Sequence, residues 1–578
     1  MSALSIQVPY QIFADSDGTP LENGYVWIGT TNLDPRTNPV NVYFDAALTQ
    51  VAPNPLRTVN GYVYNAGSPA QLYIDGANFS LRVEDKKSVL VYSFPAGSGI
   101  SPNASGITYA PAGTGAVATT VQGKLRESVS VKDFGAVGDG VTDDTLAIQA
   151  ALTYAGTIGR GIIVSVPPSI GPYIFTSLSV PSDVAFYGCG GTLKLKNNTC
   201  TNASTTYYLI CNLTGVNVTY ENLIIDGNRA TNNLFLVADA ITATGYGAVV
   251  RGCRITNTPD SGIMFSNTRG GICEGNIIDT GGDLGIYVNG AEGGSDNNTM
   301  LVTGNVISNF PYGGIGVKRS PEHTIVSNNI ITTCGNGITV EDFGVGAGGA
   351  PDHLLITGNA MRNIGFPYRS QAPAEIGIAL NFCTNVVVTN NKIQNVSGTG
   401  IGLSGTTDSL IQDNHLVGYS ASPAASGNAG FYCDVRSSVT PTRNNISGNI
   451  ATGFSSYGAY FLAITDSSIN NNIFKSSDTA LRVNSPCDNN TISHNRLDGA
   501  LGDTAIYAGA DANILQYNYQ KNAATEWQKA GHIRSTSVST PVANIVPNFP
   551  GQLCWITTAG PKIFMSYGIT NTEWLQIG

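Results

Sequence analysis

The feature that most constrains this chain is that it repeats itself. Through its second half run short apolar phrases: "DSGIMFS", "DLGIYVN", "YGGIGVK", "GNGITVE", "EIGIALN", "GTGIGLS", "NAGFYCD", "DTALRVN", "DTAIYAG". A second phrase recurs between them: "CEGNIID", "VTGNVIS", "VSNNIIT", "ITGNAMR", "VTNNKIQ", "IQDNHLV", "ISGNIAT", "INNNIFK", "ISHNRLD". The isoleucines anchoring the first phrase, Ile263, Ile286, Ile315, Ile338, Ile378 and Ile401, are spaced by 23, 29, 23, 40 and 23 residues. A minimum near 23 with insertions matches one coil of a parallel β-helix, three short strands joined by turns. A leucine-rich repeat lacks its leucine framework here, and a propeller needs antiparallel blades and longer periods. The Asn of the second phrase is expected at a turn, in the left-handed region it tolerates, with its amide laddering to the next coil.

The chain has 578 residues, more than one ordinary core holds, which agrees with a solenoid plus appendages. Its 68 glycines and only 12% charged residues describe a β-rich, turn-rich protein. The predicted class is all-β: a right-handed parallel β-helix over residues 130–520, with small β modules at 1–100 and 521–578. The N-terminal module follows from alternating strands such as "GYVWIGTTNLDP" and "FSLRVEDKKSVLVYSFP". Residues 101–129 are read as linker and neck, with a short helix beginning in "VQGKLRESVSV". Trp527, Trp555 and Trp574 mark the C-terminal module as a cap or a place where chains pack together.

One helix pattern interrupts the strands, in "TDDTLAIQAALTYAG". A stack of coils ends in an open apolar core and exposed strand edges, which must be covered. With Thr142 or Asp143 as N-cap and Leu146, Ile148 and Leu152 as its apolar face, this helix is expected to lid the first coil. The nearby "DFG" and "GAVGDG" lack the partner motifs of a kinase or phosphate loop.

A net charge of −10 argues against a general polyanion binder, so no nucleic-acid partner is expected. Neither a signal peptide nor a membrane-spanning run is read from the sequence. The ten cysteines form no C-x-x-C pairs, and their strand-like surroundings point to buried thiols. His323, His353, His415 and His494 read as isolated, so neither metal nor cofactor is expected.

If each anchor points inward, alternation turns the residues one and three places later outward. The first outward column reads Met264, Tyr287, Gly316, Thr339, Ala379, Gly402, Tyr432. The second reads Ser266, Asn289, Lys318, Glu341, Asn381, Ser404, Asp434, with Arg482, Asn484 and Tyr507 on later coils. Rings for stacking and polar groups for hydroxyls suit a sugar; a merely solvated face has the same character.

The stretch "VSVKDFGAVGDGVTDDTLAIQAAL" resembles the start of the pectate-lyase-like β-helix shared by tailed-phage tailspikes and some polysaccharide enzymes. "IFADSDGTPLENGYVWIGTTNLDPRTNPVNVYFD" with "NGYVYNAG" is similar to the particle-binding domain of short-tailed-phage tailspikes. The resemblance implies a homotrimer in the virion, assembled in the host cytoplasm. Its N-terminal domain would hold it to a tail, baseplate or portal-vertex protein. At the cell surface its β-helix would bind and cleave O-antigen or capsular polysaccharide, usually as an endoglycosidase and sometimes as a lyase. Catalytic residues do not transfer by motif, since their coils differ among members.

Glycoside hydrolysis needs two carboxyls about 5–5.5 Å apart for retention or about 6.5–9.5 Å for inversion, and coils stack about 4.8 Å apart. Candidates therefore lie on the same or adjacent coils. Glu341, Asp342 and Glu375 form the favoured cluster, beside the insertions "FGVGAGGAPD" and "GFPYRSQAPA", the second carrying Tyr368 and Arg369. Asp260 and Asp283, each three residues before its anchor and with Asp239 nearby, form the reserve pair. Either set has a bland reading, as Asx turns or strand-end charges. Substrate contacts are expected from Tyr287, Asn289, Lys318, Arg319, Tyr368, Arg369, Asn381, Tyr432 and Asp434. A lyase would use Lys318 and Arg319 near Tyr287 and Tyr312. A deacetylase would want a Ser-His-Asp set, for which no serine motif stands out. A non-enzymatic adhesin remains the further alternative.

Overall fold

In the computed structural model the described residues are 10–520, apart from 77, 99–103, 106, 160, 214, 291–298, 320–322, 342–350, 366–374, 420–427, 437, 485–486, 500–501, 507–512 and 517. Beyond 520 the backbones of the strands His532–Ser535, Leu553–Ile556, Lys562–Ser566 and Trp574–Gln576 are described. The chain divides into two compact units, residues 1–127 and 128–578.

In the second unit three sheets of 15, 14 and 13 strands run side by side, every neighbouring pair parallel. From Ile162–Val166 onward, successive strands of the chain go to the first, second and third sheet in turn, so each coil contributes one strand to each. This is the right-handed parallel β-helix expected from the repeats. The anchors pair in register, Ile263 with Ile286, Ile286 with Ile315, Ile315 with Ile338, Ile338 with Ile378 and Ile378 with Ile401. All six are fully buried in one continuous apolar core. Spacings of 29 and 40 residues add chain between strands without disturbing this register.

Two corners of the coil explain the regularity. At one, an amide ladder climbs through Asn276, Asn305, Asn329, Asn359, Asn391, Asn414, Asn449, Asn472, Asn495 and Asn518. Each Nδ2 donates to the next Oδ1 at 2.9–3.0 Å. The same Oδ1 also accepts the backbone N–H of the Asn one coil earlier, so buried polar groups are satisfied along the stack. The ladder is as expected, but the left-handed position is not the Asn itself. It is the residue before: Gly275, Gly304, Asn328, Gly358, Asn390, Asp413, Gly448, Asn471 and His494. The turn is made by that residue, which frees the following Asn to point inward.

At the second corner, immediately before each anchor, stands a column of glycines that the sequence reading did not single out. A Cβ on Gly337 would lie 2.3 Å from the Gly377 carbonyl oxygen, and one on Gly314 2.4 Å from Ile331 Cγ2. Gly377, Gly400 and Gly430 are equally crowded. The recurring Gly-Ile pair therefore records contact between coils.

The helix spans Thr145–Ile158 and packs on the strands Ile162–Val166, Leu178–Ser179 and Val184–Gly188 of the first coils, as a lid should. Its start and face differ in detail from expectation. Asp144 holds the N-cap position, although its carboxylate binds the Val137 and Gly138 N–H groups, while Asp143 accepts from Thr145 N at 3.1 Å. The buried side chains are Ile148, Ala151, Leu152 and Ala155, spaced i, i+3, i+4 and i+7. Leu146 falls off that stripe and is exposed.

The first unit carries an antiparallel six-stranded sheet, with Tyr25–Gly29 between Leu56–Val59 and Asn78–Glu84, and a separate three-stranded sheet. Phe13, Leu21, Val26, Val42, Leu56 and Val83 form its core. The expected linker is partly structured: Thr108–Tyr109 pairs antiparallel with Thr119–Thr120, and a five-residue helix, Val121–Leu125, follows with Thr120 as its cap. Near the C-terminus, Leu553–Ile556, Lys562–Ser566 and Trp574–Gln576 form antiparallel pairs, and His532–Ser535 joins in parallel. Trp527 lies outside the described residues, as do the side chains of Trp555 and Trp574.

Eight of the nine cysteines whose side chains are described are buried free thiols; Cys189 is exposed. His323 and His353 are not isolated: their rings stack 5.1 Å apart, and His353 Nδ1 lies 2.9 Å from Asp352.

Candidate functional site

The third sheet aligns both outward columns as the repeats predict. Met264, Tyr287, Gly316, Thr339, Ala379, Gly402 and Tyr432 are successive register partners, and the column continues through Tyr460 to Arg482. Ser266, Asn289, Lys318, Glu341, Asn381, Ser404 and Asp434 form the second. The strip is not uniformly open, however. Over Gly313–Lys318, Asn336–Glu341 and Ile376–Asn381 its side chains are mostly buried, whereas Tyr287, Asn289, Tyr432 and Asp434 on flanking coils are half-buried.

Glu341 is only 9% exposed, and Arg436, from a later coil, donates to its Oε1 at 2.7 Å. A carboxylate engaged in this way is not placed to meet substrate first. Glu375 lies just before the strand Ile376–Asn381 and accepts a hydrogen bond from Ser397. Since Asn381 is the register partner of Glu341, the Glu341 and Glu375 backbones are six residues apart along the strands, about 20 Å. The structure does not bring these two together as a pair. Asp342, Tyr368, Arg369 and Tyr507 lie outside the described residues.

Asp260 and Asp283 are brought together. They occupy equivalent places on adjacent coils, three residues before the paired Ile263 and Ile286. Their turns press closely: Gly282 N donates to the Asp260 carbonyl at 2.9 Å, and a Cβ on Gly282 would stand 2.0 Å from the Pro259 oxygen. Both carboxyls are mostly buried. Burial, then the neighbouring Asp283 charge, pushes Asp260 up to about 6. Burial also raises Asp283, but the Lys318 charge opposes that rise. One coil earlier Asp239 is 1% exposed; burial, then Asp260, drives its carboxyl well above the ordinary range. Arg229 closes the side of the cluster, donating to the Gly281 carbonyl at 2.7 Å.

Lys318 links this corner to the strip. Its ammonium lies 4.4 Å from the Tyr312 ring centroid and 5.4 Å from that of Tyr287. Burial lowers its basicity, while Asp283 and Glu341 work in the opposite direction. The Tyr287 hydroxyl, pushed up to about 12 by burial, donates to Asn289 at 3.2 Å. Arg319, next in the chain, is half-buried.

Five coils on, a second polar-aromatic group was only partly foreseen. Tyr432 meets Tyr460 edge-on at 5.5 Å, and the Arg482 guanidinium stands 4.9 Å from the Tyr460 ring and donates to the Tyr457 hydroxyl at 2.7 Å. Asn484 donates to the Tyr460 hydroxyl at 3.2 Å. Tyr457 lies two residues before its coil's anchor position, off both outward columns. Nearby, Asp434 accepts from Ser404.

A family model described as rhamnogalacturonase A/epimerase, pectate lyase-like, matches residues 128–339, and one described as right-handed beta helix region matches 293–497 and 376–544. Mannuronan C5-epimerase AlgE6 of Azotobacter vinelandii is 46% identical over 69 residues, 12% of this chain and 7% of that protein. The tail spike protein of Shigella phage Sf6 is 33% identical over 84 residues, 14% of each. The chain thus spans only a small part of the length of these relatives. Among solved structures, the N-terminal fragment of bacteriophage Phi29 gene product 12 superposes with a TM-score of 0.51 at 15% identity, covering 71% of this chain and 75% of that one. A tailspike protein mutant of E. coli bacteriophage HK620, solved in complex with a hexasaccharide, gives 0.50 at 14% identity, covering 71% and 83%. At these identities the likeness establishes the fold alone, a parallel β-helix.

Proposed function

We propose that this chain is a phage tailspike that binds a bacterial surface polysaccharide, O-antigen or capsule, and cleaves it by endoglycosidic hydrolysis at Asp260 and Asp283. The observation that carries the reading is the pair itself: two carboxyls stacked on adjacent coils, both raised by burial, with the Lys318 charge opposing the rise at Asp283. Coil spacing of about 4.8 Å puts them near the separation of a retaining glycosidase. Asp260, with a pKa of about 6 despite the opposing Arg229 charge, is the general acid that protonates the leaving oxygen. Asp283, beside Lys318, holds its charge more readily and is the nucleophile. Tyr287, Asn289 and Arg319 flank the scissile bond, and the Tyr432–Tyr460–Arg482 group holds the chain further along the strip. Asn381 and Glu341 shape the buried middle of that strip.

The matches to a phage tail spike and to polysaccharide-modifying enzymes support the same class of substrate. Attachment to the virion tail through residues 1–100, trimer formation and action at the bacterial surface belong to the same proposal. Size-exclusion chromatography of purified O-antigens and capsules before and after incubation, with mass spectrometry of the products, tests it. Shortened chains with new reducing ends, lost in Asp260→Asn and Asp283→Asn but kept in Glu341→Gln, are expected. Full activity in both aspartate variants refutes the assignment, and unchanged chain length favours an adhesin.

One observation favours a second chemistry. Lys318 is 5% exposed, lies between two tyrosine rings, and is less basic than usual, as suits proton abstraction beside a uronate. A lyase leaves unsaturated, ultraviolet-absorbing ends; a hydrolase does not.

A further inference from the structure

Asp239 is the one member of the acidic corner that cannot reach a substrate. It is 1% exposed, in the coil before Asp260, and its Oδ1 accepts the Ser261 N–H at 3.2 Å. Its Oδ2 is buried and has no hydrogen-bond acceptor role among the described residues. Asp260 Oδ2 in turn accepts the Ala238 N–H at 3.2 Å, so each carboxyl bonds a peptide N–H next to the other residue. The groups facing Asp239 are Asp260, Asp283 and Tyr287, with Arg229 and Lys318 behind them near Asp260 and Asp283 respectively. A bare carboxylate oxygen buried without a donor, beside two further carboxyls, is costly; a protonated one turns the same atom into a donor.

Resting on the catalytic reading of Asp260 above, we propose that Asp239 stays protonated on Oδ2 throughout the working pH range and donates that proton as a hydrogen bond to the Asp260 carboxylate. Asp239 is then a positioning residue. It aims Asp260 and supports its charged form after Asp260 has given its proton to the leaving oxygen. Burial and the neighbouring acids favour the neutral form of Asp239, in agreement with this role.

The role makes the side chain functionally an asparagine. Asp239→Asn keeps a donor at the same place; Asp239→Leu keeps volume without one. The Asn variant is expected to retain kcat within about twofold and an unmoved alkaline limb of the pH profile. In the Leu variant Asp260 loses support for its charge, so the limb moves to higher pH and kcat falls about tenfold or more. The substrate is whichever purified polysaccharide the unmodified protein shortens. A limb that moves to lower pH in both variants means Asp239 is ionised and overturns the proposal. Limbs unmoved in both mean a structural role only, and also overturn it.

An activity-free readout covers a Leu variant that does not fold. In infrared difference spectra of the full-length protein at pH 8, a protonated-carboxyl C=O band is expected in the unmodified chain and missing from Asp239→Asn. The same band in both proteins overturns the proposal. If no polysaccharide is shortened at all, the catalytic reading fails, and the band by itself decides whether Asp239 holds the proton.

Discussion

Asp260→Asn should make the protein more stable at the pH where it works while abolishing cleavage. In the fold the Asp260 carboxyl titrates at about 6 against an ordinary 3.8, so the folded chain holds this proton more tightly than the unfolded chain. The stability linked to that proton is fully present below the unfolded value, near 4, and is lost as pH rises through about 6. The rise corresponds to about 3 kcal/mol. Asparagine cannot ionise, and its side-chain oxygen still serves the Ala238 N–H. The variant should therefore differ from the parent by a constant amount near pH 4 and gain about 3 kcal/mol relative to it by pH 8. The assay is guanidinium unfolding of both proteins at pH 4, 6 and 8, taking unfolding rates where refolding fails. A difference that does not change with pH refutes the electrostatic account. A variant that still shortens polysaccharide refutes the catalytic one.

Three further outcomes are expected. Asn359→Leu removes five side-chain hydrogen bonds in mid-ladder, two of them from Asn329, and should cost about 3 kcal/mol or more, read as faster unfolding in guanidinium. Gly337→Ala forces a methyl against the Gly377 carbonyl and should lower stability by about 1–3 kcal/mol in thermal unfolding, whereas Gly402→Ala, whose Cβ would stand 3.4 Å from Ile376, should be nearly neutral. Tyr460→Ala breaks up the Tyr432–Arg482 platform and should weaken binding of long polysaccharide about tenfold, measured by surface plasmon resonance on a cleavage-dead background, while leaving turnover of short oligosaccharides unchanged.

Coil architecture was legible because a parallel solenoid writes its period directly into the chain. Ile263 to Ile401 were both the sequence signal and the buried register partners. The outward columns followed from alternation alone. Burial within those columns did not, because it depends on side chains arriving from distant coils. Arg436 reaches Glu341 across 95 residues, and the Lys318 ammonium lies 4.4 Å from the ring of Tyr312, which comes from outside its own strand. The emphasis on Glu341 with Glu375 came from proximity in sequence to insertions; strand direction separates them. Asp260 and Asp283 share the same offset from their anchors, and the register places them at equivalent positions on adjacent coils. The Gly-Ile pairs were visible too, but only the Cβ distances show that they mark contact between coils.

With asparagines at one corner and glycines at another, the thickness of each layer is held independently of its perimeter. Additional loop length can be accepted at a coil's rim without altering the pitch, so the outer surface is free to diversify while the spine beneath it is held by geometry. Under the proposed function, exchange of loops between coils should thus retarget such a protein to another sugar coat without rebuilding its trunk.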